Sequence, residues 1–132
     1  MLFFRRKEIP WEVVDSRSVD PVPMYYEDED LEVILVKETN VRRRYAFEIK
    51  RDTSERKQLL NAVVFAREQL MQEIKRNGYN ILLLESWRVT LLRKAKLHRI
   101  EVEYSGRPAI ASETSKFEKP DPPFMAILHT CR

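Results

Sequence analysis

A chain of 132 residues with 43% hydrophobic and 34% charged residues has the size and balance of one folded domain, which argues against both a disordered and a membrane-embedded chain. Its apolar runs are only a few residues long, so no helix reaches across a bilayer. One cysteine and two histidines leave no intrachain disulfide and no zinc site of four cysteines, or of two cysteines with two histidines. A net charge of +3, from 24 basic and 21 acidic residues, permits an anionic partner without demanding one.

In chain order, residues 1–30 read as an irregular arm. The opening Met1-Leu2-Phe3-Phe4-Arg5-Arg6-Lys7 puts its apolar residues before its charges and has no long apolar stretch, which is wrong for a secretory signal, so a cytoplasmic or nuclear address is expected. Pro10, Pro21 and Pro23 punctuate the arm, with room for one short strand around residues 11–14. It ends in Tyr25-Tyr26, a mild interface signal, and the acidic cluster Glu27-Asp28-Glu29-Asp30.

Residues 31–37 have high β propensity, and Thr39-Asn40 with Arg42-Arg43-Arg44 reads as a hairpin connection into a second strand, giving an antiparallel pair. The arginine run is either a solvated tip or a phosphate contact. In Tyr45-Ala46-Phe47-Glu48-Ile49-Lys50, strand period 2 places Tyr45, Phe47 and Ile49 on a core face and Ala46, Glu48 and Lys50 on the other.

From Thr53 the period becomes helical, with Leu59, Val63, Ala66, Leu70 and Ile74 on one stripe flanked by Leu60, Val64 and Met71. Asp52 or Thr53 supplies a cap, and Asn77-Gly78 a stop. A helix of about 23 residues is roughly 34 Å long, enough to cross a small sheet.

Ile81-Leu82-Leu83-Leu84 reads as a central strand. Trp87, Val89 and Leu91, then His98, Ile100, Val102 and Tyr104, alternate with polar residues across a Lys94-Ala95-Lys96 turn. This predicts a hairpin with a wet face of Arg88, Arg99, Glu101 and Glu103, and His98 at the core or its boundary. Ser105-Gly106-Arg107-Pro108 is expected to end that strand, with a short edge pairing over 109–111. Residues 112–132 form a proline-containing tail in which 124–128 could dock as a short strand or meet a partner.

The expected architecture is α+β: one long helix packed on a predominantly antiparallel or mixed sheet of about five strands, with the core domain over 31–111. The order strand, strand ending in Glu48-x-Lys50, helix carrying Gln58, hydrophobic strand resembles the PD-(D/E)xK restriction-endonuclease-like superfamily over about residues 29–104. That resemblance implies Glu48, Lys50 and Gln58 as catalytic residues. It also implies magnesium held by Glu48 with Asp30 or Glu32, a strand after the helix parallel to its neighbour, and cleavage of phosphodiesters. Arg42, Arg43, Arg44, Arg51, Arg56 and Lys57 would extend a positive field toward a nucleic-acid backbone.

Other chemistry is poorly supported. Two glycines cannot build a phosphate-cradling loop, His98 and Cys131 lie in separate segments, and Trp87 reads as packing. The leading expectation is a non-catalytic protein-interaction module, part of a larger assembly or a homo-oligomer, needing no cofactor and no membrane. The alternatives are a magnesium-dependent nuclease and a nucleic-acid-binding protein without catalysis.

Overall fold

A computed structural model describes residues 10–25, 31–49, 54–112 and 121–130. It is α+β, with strands β1 (Glu12–Pro23), β2 (Val33–Val36) and β3 (Val41–Glu48), helix α1 (Glu55–Arg76), strands β4 (Ile81–Lys94) and β5 (Leu97–Ala111), and a 3-10 helix at Met125–Thr130. The five strands form one sheet in which β4 lies between β1 and β5, and β5 lies between β4 and the pair β2 and β3. Every strand pairing is antiparallel, so the parallel neighbour implied by the nuclease resemblance is not found among the described residues.

The helix forms where the period predicted it. Leu59, Val63, Ala66, Leu70 and Ile74 are all at most 3% exposed, and α1 lies over β3, β4 and β5. Ser54 is the N-cap, with no side-chain cap bond. Asp52 and Thr53 lie outside the described residues. At the other end Gly78 takes a φ of 94°, its N–H donating to the Lys75 carbonyl at 3.1 Å while the Tyr79 N–H donates to that of Ile74 at 2.9 Å. These two bonds close the last carbonyls in a Schellman arrangement, which favours glycine at the left-handed position.

The hairpin β4–β5 is the spine of the sheet. It pairs from Ile81 opposite Ala109 to Lys94 opposite Leu97, across a two-residue turn whose Ala95 has a φ of 53°. Alternation sends Glu85, Trp87, Val89 and Leu91 of β4, and Ile100, Val102 and Tyr104 of β5, under the helix, where all are buried. Arg88, Arg99, Glu101 and Glu103 lie on the face without the helix. His98 shares the parity of Ile100 but is exposed at the hairpin end, beyond the helical cover, and is no core residue. Ile81, Ala109 and Ala111 form a second apolar cluster with Tyr25, Leu31 and Leu83, on the opposite face from their neighbour Leu82, as strand parity requires.

The expected break at residues 105–108 is absent, since β5 runs through it. β4 carries one extra residue between Leu82 and Glu85, and Gly106 sits opposite that bulge. A Cβ at Gly106 would lie 2.7 Å from Leu82 Cδ2 and 3.0 Å from the Leu84 carbonyl oxygen, so only glycine lets the two strands approach this closely.

The expected hairpin between β2 and β3 does not form either. Both strands pair with β5 and run in the same direction along it, β2 from Val33 opposite Ala111 to Val36 opposite Ala109, β3 from Val41 opposite Gly106 to Glu48 opposite Arg99. They are two pieces of one interrupted outer strand. The interruption falls at Pro108, whose carbonyl accepts the Lys37 N–H at 2.9 Å but whose nitrogen has no proton to return.

At the N-terminal side, the short strand expected at 11–14 is instead the twelve-residue β1 along β4. In the expected tail, residues 121–130 fold back on the helix side of the sheet. Pro122, Pro123 and Leu128 are buried there, the 3-10 helix touches α1, and the Trp87 indole N–H donates to the Pro123 carbonyl at 2.8 Å.

Candidate functional site

The strand carrying Glu48 has the orientation its alternation predicted. Tyr45, Phe47 and Ile49 pack against the main core while Ala46 and Glu48 are exposed. Glu48, the last residue of β3, lies opposite Arg99 on the helix-free face. Glu32 lies at the far end of β5, where its carbonyl accepts the Ser112 N–H at 2.9 Å and its carboxylate the Ser112 hydroxyl at 3.2 Å. Arg99 and Ser112 are thirteen residues apart, so at about 3.3 Å per residue the two carboxylates are separated by roughly 40 Å.

Glu32 and Glu48 therefore cannot share a magnesium ion, whose ligand bonds are about 2.1 Å. Asp30, Lys50 and Arg51 lie outside the described residues. Gln58 is half-buried in the first turn of α1, its N–H bonded to the Ser54 carbonyl at 3.0 Å. Among the described residues no group of three or more His, Cys, Asp or Glu side chains is placed to hold a metal.

The arginine run is divided between the two faces of the sheet. Arg42 and Arg44 reach Glu103 on the helix-free face at 3.6 and 3.3 Å, and the Arg42 Nε donates to the Ser105 hydroxyl at 3.3 Å. Arg43 turns to the helix side, where it meets Glu73 of α1 at 2.7 Å. Arg56 and Lys57 are exposed in the first turn of α1. The run is thus not a single basic patch. On the same helix-free face Arg99 stacks on Trp11, its guanidinium carbon 4.4 Å from the ring centre, with the Lys94 ammonium at 5.9 Å.

The core holds an ionic cluster that the sequence reading missed. The Arg67 Nε and Nη2 of α1 donate to the two carboxylate oxygens of Glu85 at 2.5 and 3.0 Å, and the Tyr104 hydroxyl donates to the first of them at 2.5 Å. Glu85 and Tyr104 are fully buried and Arg67 nearly so. The signal was present: Arg67 occupies the apolar stripe four residues after Val63 and three before Leu70, and Glu85 shares the parity of Trp87, Val89 and Leu91.

Burial opposes the charge on Arg67, but the hydrogen bond and charge of Glu85 outweigh it and raise the guanidinium pKa. Burial, then the charge of Glu85, holds the Tyr104 phenol well above its ordinary value of 10.0. Burial, then Glu73, also raises Tyr45. A raised folded-state pKa means that the unfolded chain loses the phenolic proton first. The associated stability is complete below about pH 10 and falls as pH rises above it. In denaturant titrations Tyr104→Phe is expected to be less stable near neutrality, by about 1 kcal/mol for the lost hydrogen bond, and to fall less steeply above pH 10.

The outer edges of the sheet differ in how they are protected. β1 carries Pro21 and Pro23, the charges of Asp15 and Arg17, and two irregularities of register. β3 carries its three arginines. β2 carries no proline and no charge within its four residues and shifts register once, between Val33 and Leu35; its Val33, Ile34, Leu35 and Val36 are 37%, 65%, 52% and 41% exposed in an unbroken row, and only β5 pairs with them among the described residues. An apolar run of this kind normally marks a strand covered on both faces. Among the described residues α1 packs mainly on β3, β4 and β5, and the four β2 side chains stay exposed.

Comparison with known proteins finds no matching family model, no matching curated protein and no matching solved structure.

Proposed function

We propose that this chain is a non-catalytic protein-interaction module, part of a larger assembly, and that it engages its partner at β2. The reading rests on one observation, the row of four exposed apolar side chains on an edge strand with no second neighbour among the described residues. A strand laid beside β2 would gain affinity by bonding to its outward backbone groups and specificity by covering the side chains on both faces. Apolar burial stabilises by about 25 cal/mol per Å², so half-covering one exposed Ile or Leu contributes on the order of 1 kcal/mol.

The test compares the full chain with Ile34→Lys and with a control, Val13→Lys, on the exposed part of β1. Associated proteins are identified by mass spectrometry, and folding is checked by thermal unfolding. Ile34→Lys is expected to lose association at least about tenfold, equivalent to about 1.4 kcal/mol, while its melting temperature stays close to that of the parent. Val13→Lys should bind as the parent does. Equal binding by all three chains, or no association by the parent with itself or any other protein, counts against the reading.

A further inference from the structure

The geometry points to a second docking surface, at the tip of the β4–β5 hairpin, that seats on an anionic lipid bilayer. Leu97 and Trp11 enter the headgroup layer, and Lys94, Lys96 and Arg99 meet its phosphates. The surface is independent of the reading at β2, which pairs with the other end of β5.

Strand pairing assembles it. Lys94 and Leu97 face one another across the turn, and Val13, Leu92 and Arg99 form the next row across β1, β4 and β5, all on the side of the sheet without the helix. Trp11 lies over the same ground, its ring centre 4.4 Å from the Arg99 guanidinium carbon and 5.9 Å from the Lys94 ammonium. Leu92 is only 7% exposed there, while Leu97 and Val13 are each 64% exposed. The result is an apolar centre set among cations.

Those cations are in excess. Arg93 meets Glu12 at 3.1 Å on the opposite side of the sheet, whereas Lys94, Lys96 and Arg99 are in no ion pair among the described residues. The acids on this side are Glu48, opposite Arg99, and Glu101, one step further along β5. The tip is therefore complementary to an anion.

The turn has the same character. Ala95 takes a φ of 53°, a left-handed position that Asn, Asp or Gly fills with least strain. The chain puts Ala95-Lys96 there, so the projecting end of the hairpin is apolar and cationic, without an acid. Residues 2–7, which lead toward Trp11 and lie outside the described residues, repeat the composition with Leu2, Phe3 and Phe4 before Arg5, Arg6 and Lys7.

An anionic bilayer meets both halves of the surface. Acidic headgroups attract lysine and arginine, an indole settles at the interface, and exposed aliphatic side chains reach the acyl boundary. A nucleic-acid backbone uses the cations and leaves Leu97 and Val13 uncovered. No helix of the described residues is long and apolar enough to cross a membrane, and contact at the surface asks for none.

Sedimentation of the full chain with phosphatidylcholine vesicles, with and without about 30% phosphatidylserine, tests this at physiological and raised salt. The chain should bind the anionic vesicles at least about tenfold more tightly than the neutral ones, and less tightly as salt rises. Anionic vesicles should also shift tryptophan emission to the blue, because Trp11 is half-exposed while Trp87 is already buried. Lys94→Glu with Lys96→Glu should weaken binding at least about tenfold, and Leu97→Ser at least about threefold. Lys75→Glu with Arg76→Glu makes the same charge change in the exposed last turn of α1, at the far end of the sheet, and should cost less than about twofold.

No vesicle binding by the parent, or equal binding to neutral and anionic vesicles, overturns the inference. So does an equal loss in the Lys75 and Lys94 double variants, since net charge alone would then account for it. Leu97→Ser that binds as the parent does, with no blue shift, removes the seating of the tip. Binding to an oligothymidylate but to no vesicle assigns the cations to nucleic acid and overturns the lipid surface.

Discussion

Glu85→Ala is expected to destabilise the fold by about 3–5 kcal/mol, the largest single effect anticipated for this chain. The substitution removes the carboxylate that receives two bonds from Arg67 and one from Tyr104, leaving a guanidinium in a nearly dry core without its counter-charge. A broken buried pair costs about this much because the surviving ion keeps its desolvation penalty and loses the attraction that offset it.

The converse follows from the same physics. Replacing both partners, as in Arg67→Met with Glu85→Leu, removes both desolvation penalties and should recover most of the loss. Guanidinium unfolding of the parent, the single variant and the double variant separates these cases. A loss below about 1 kcal/mol for Glu85→Ala would mean that water reaches Arg67 and that the cluster does not hold α1 to the sheet.

The second large effect is expected at Trp87. Its ring is 2% exposed in the main core, and its indole N–H is bonded to the Pro123 carbonyl of the returning C-terminal segment. Trp87→Ala should cost about 3–5 kcal/mol, combining the lost apolar burial with the cavity left behind. Trp87→Phe isolates the tether. It keeps most of the ring but leaves a buried carbonyl without its donor, at about 1–3 kcal/mol.

That loss should be felt first by residues 121–130, so limited proteolysis should cut this segment in Trp87→Phe well before the sheet unfolds. Unchanged resistance of the segment to protease, with a reduced global stability, would show that Leu128 and the buried prolines hold it without the indole.

Alternation and helical period carried most of the fold, because they report on neighbours a few residues away. The stripe from Leu59 to Ile74 and the alternation from Trp87 to Tyr104 each needed only local counting, and Phe47 and Glu48 fell on the faces assigned to them. The tandem arrangement of β2 and β3 was not legible in this way. Thr39-Asn40 has the chemistry of a hairpin turn, and what prevents the hairpin is the pairing of both strands with β5, interrupted at Pro108 some seventy positions later.

The pairing of Glu32 with Glu48 on magnesium failed on the same point. A hairpin would have brought Glu32 back toward Glu48, whereas the collinear strands carry them apart. His98 shows a milder version: its parity was right, but parity does not tell where the covering helix ends. Arg67 and Glu85 were visible as charges on apolar faces, and two such charges one element apart are a signal of a buried pair.

The pairing scheme also orders the events by which the chain can assemble during synthesis. Among the described residues, β1 pairs only with β4, and β2 and β3 pair only with β5. The first three strands thus leave the ribosome with nothing to bond to until the last hairpin has emerged. Such dependence on distant contacts slows folding. During that interval the Val33–Val36 segment is uncovered on nascent chains that stand close together, making polysomes the setting in which its stickiness matters most.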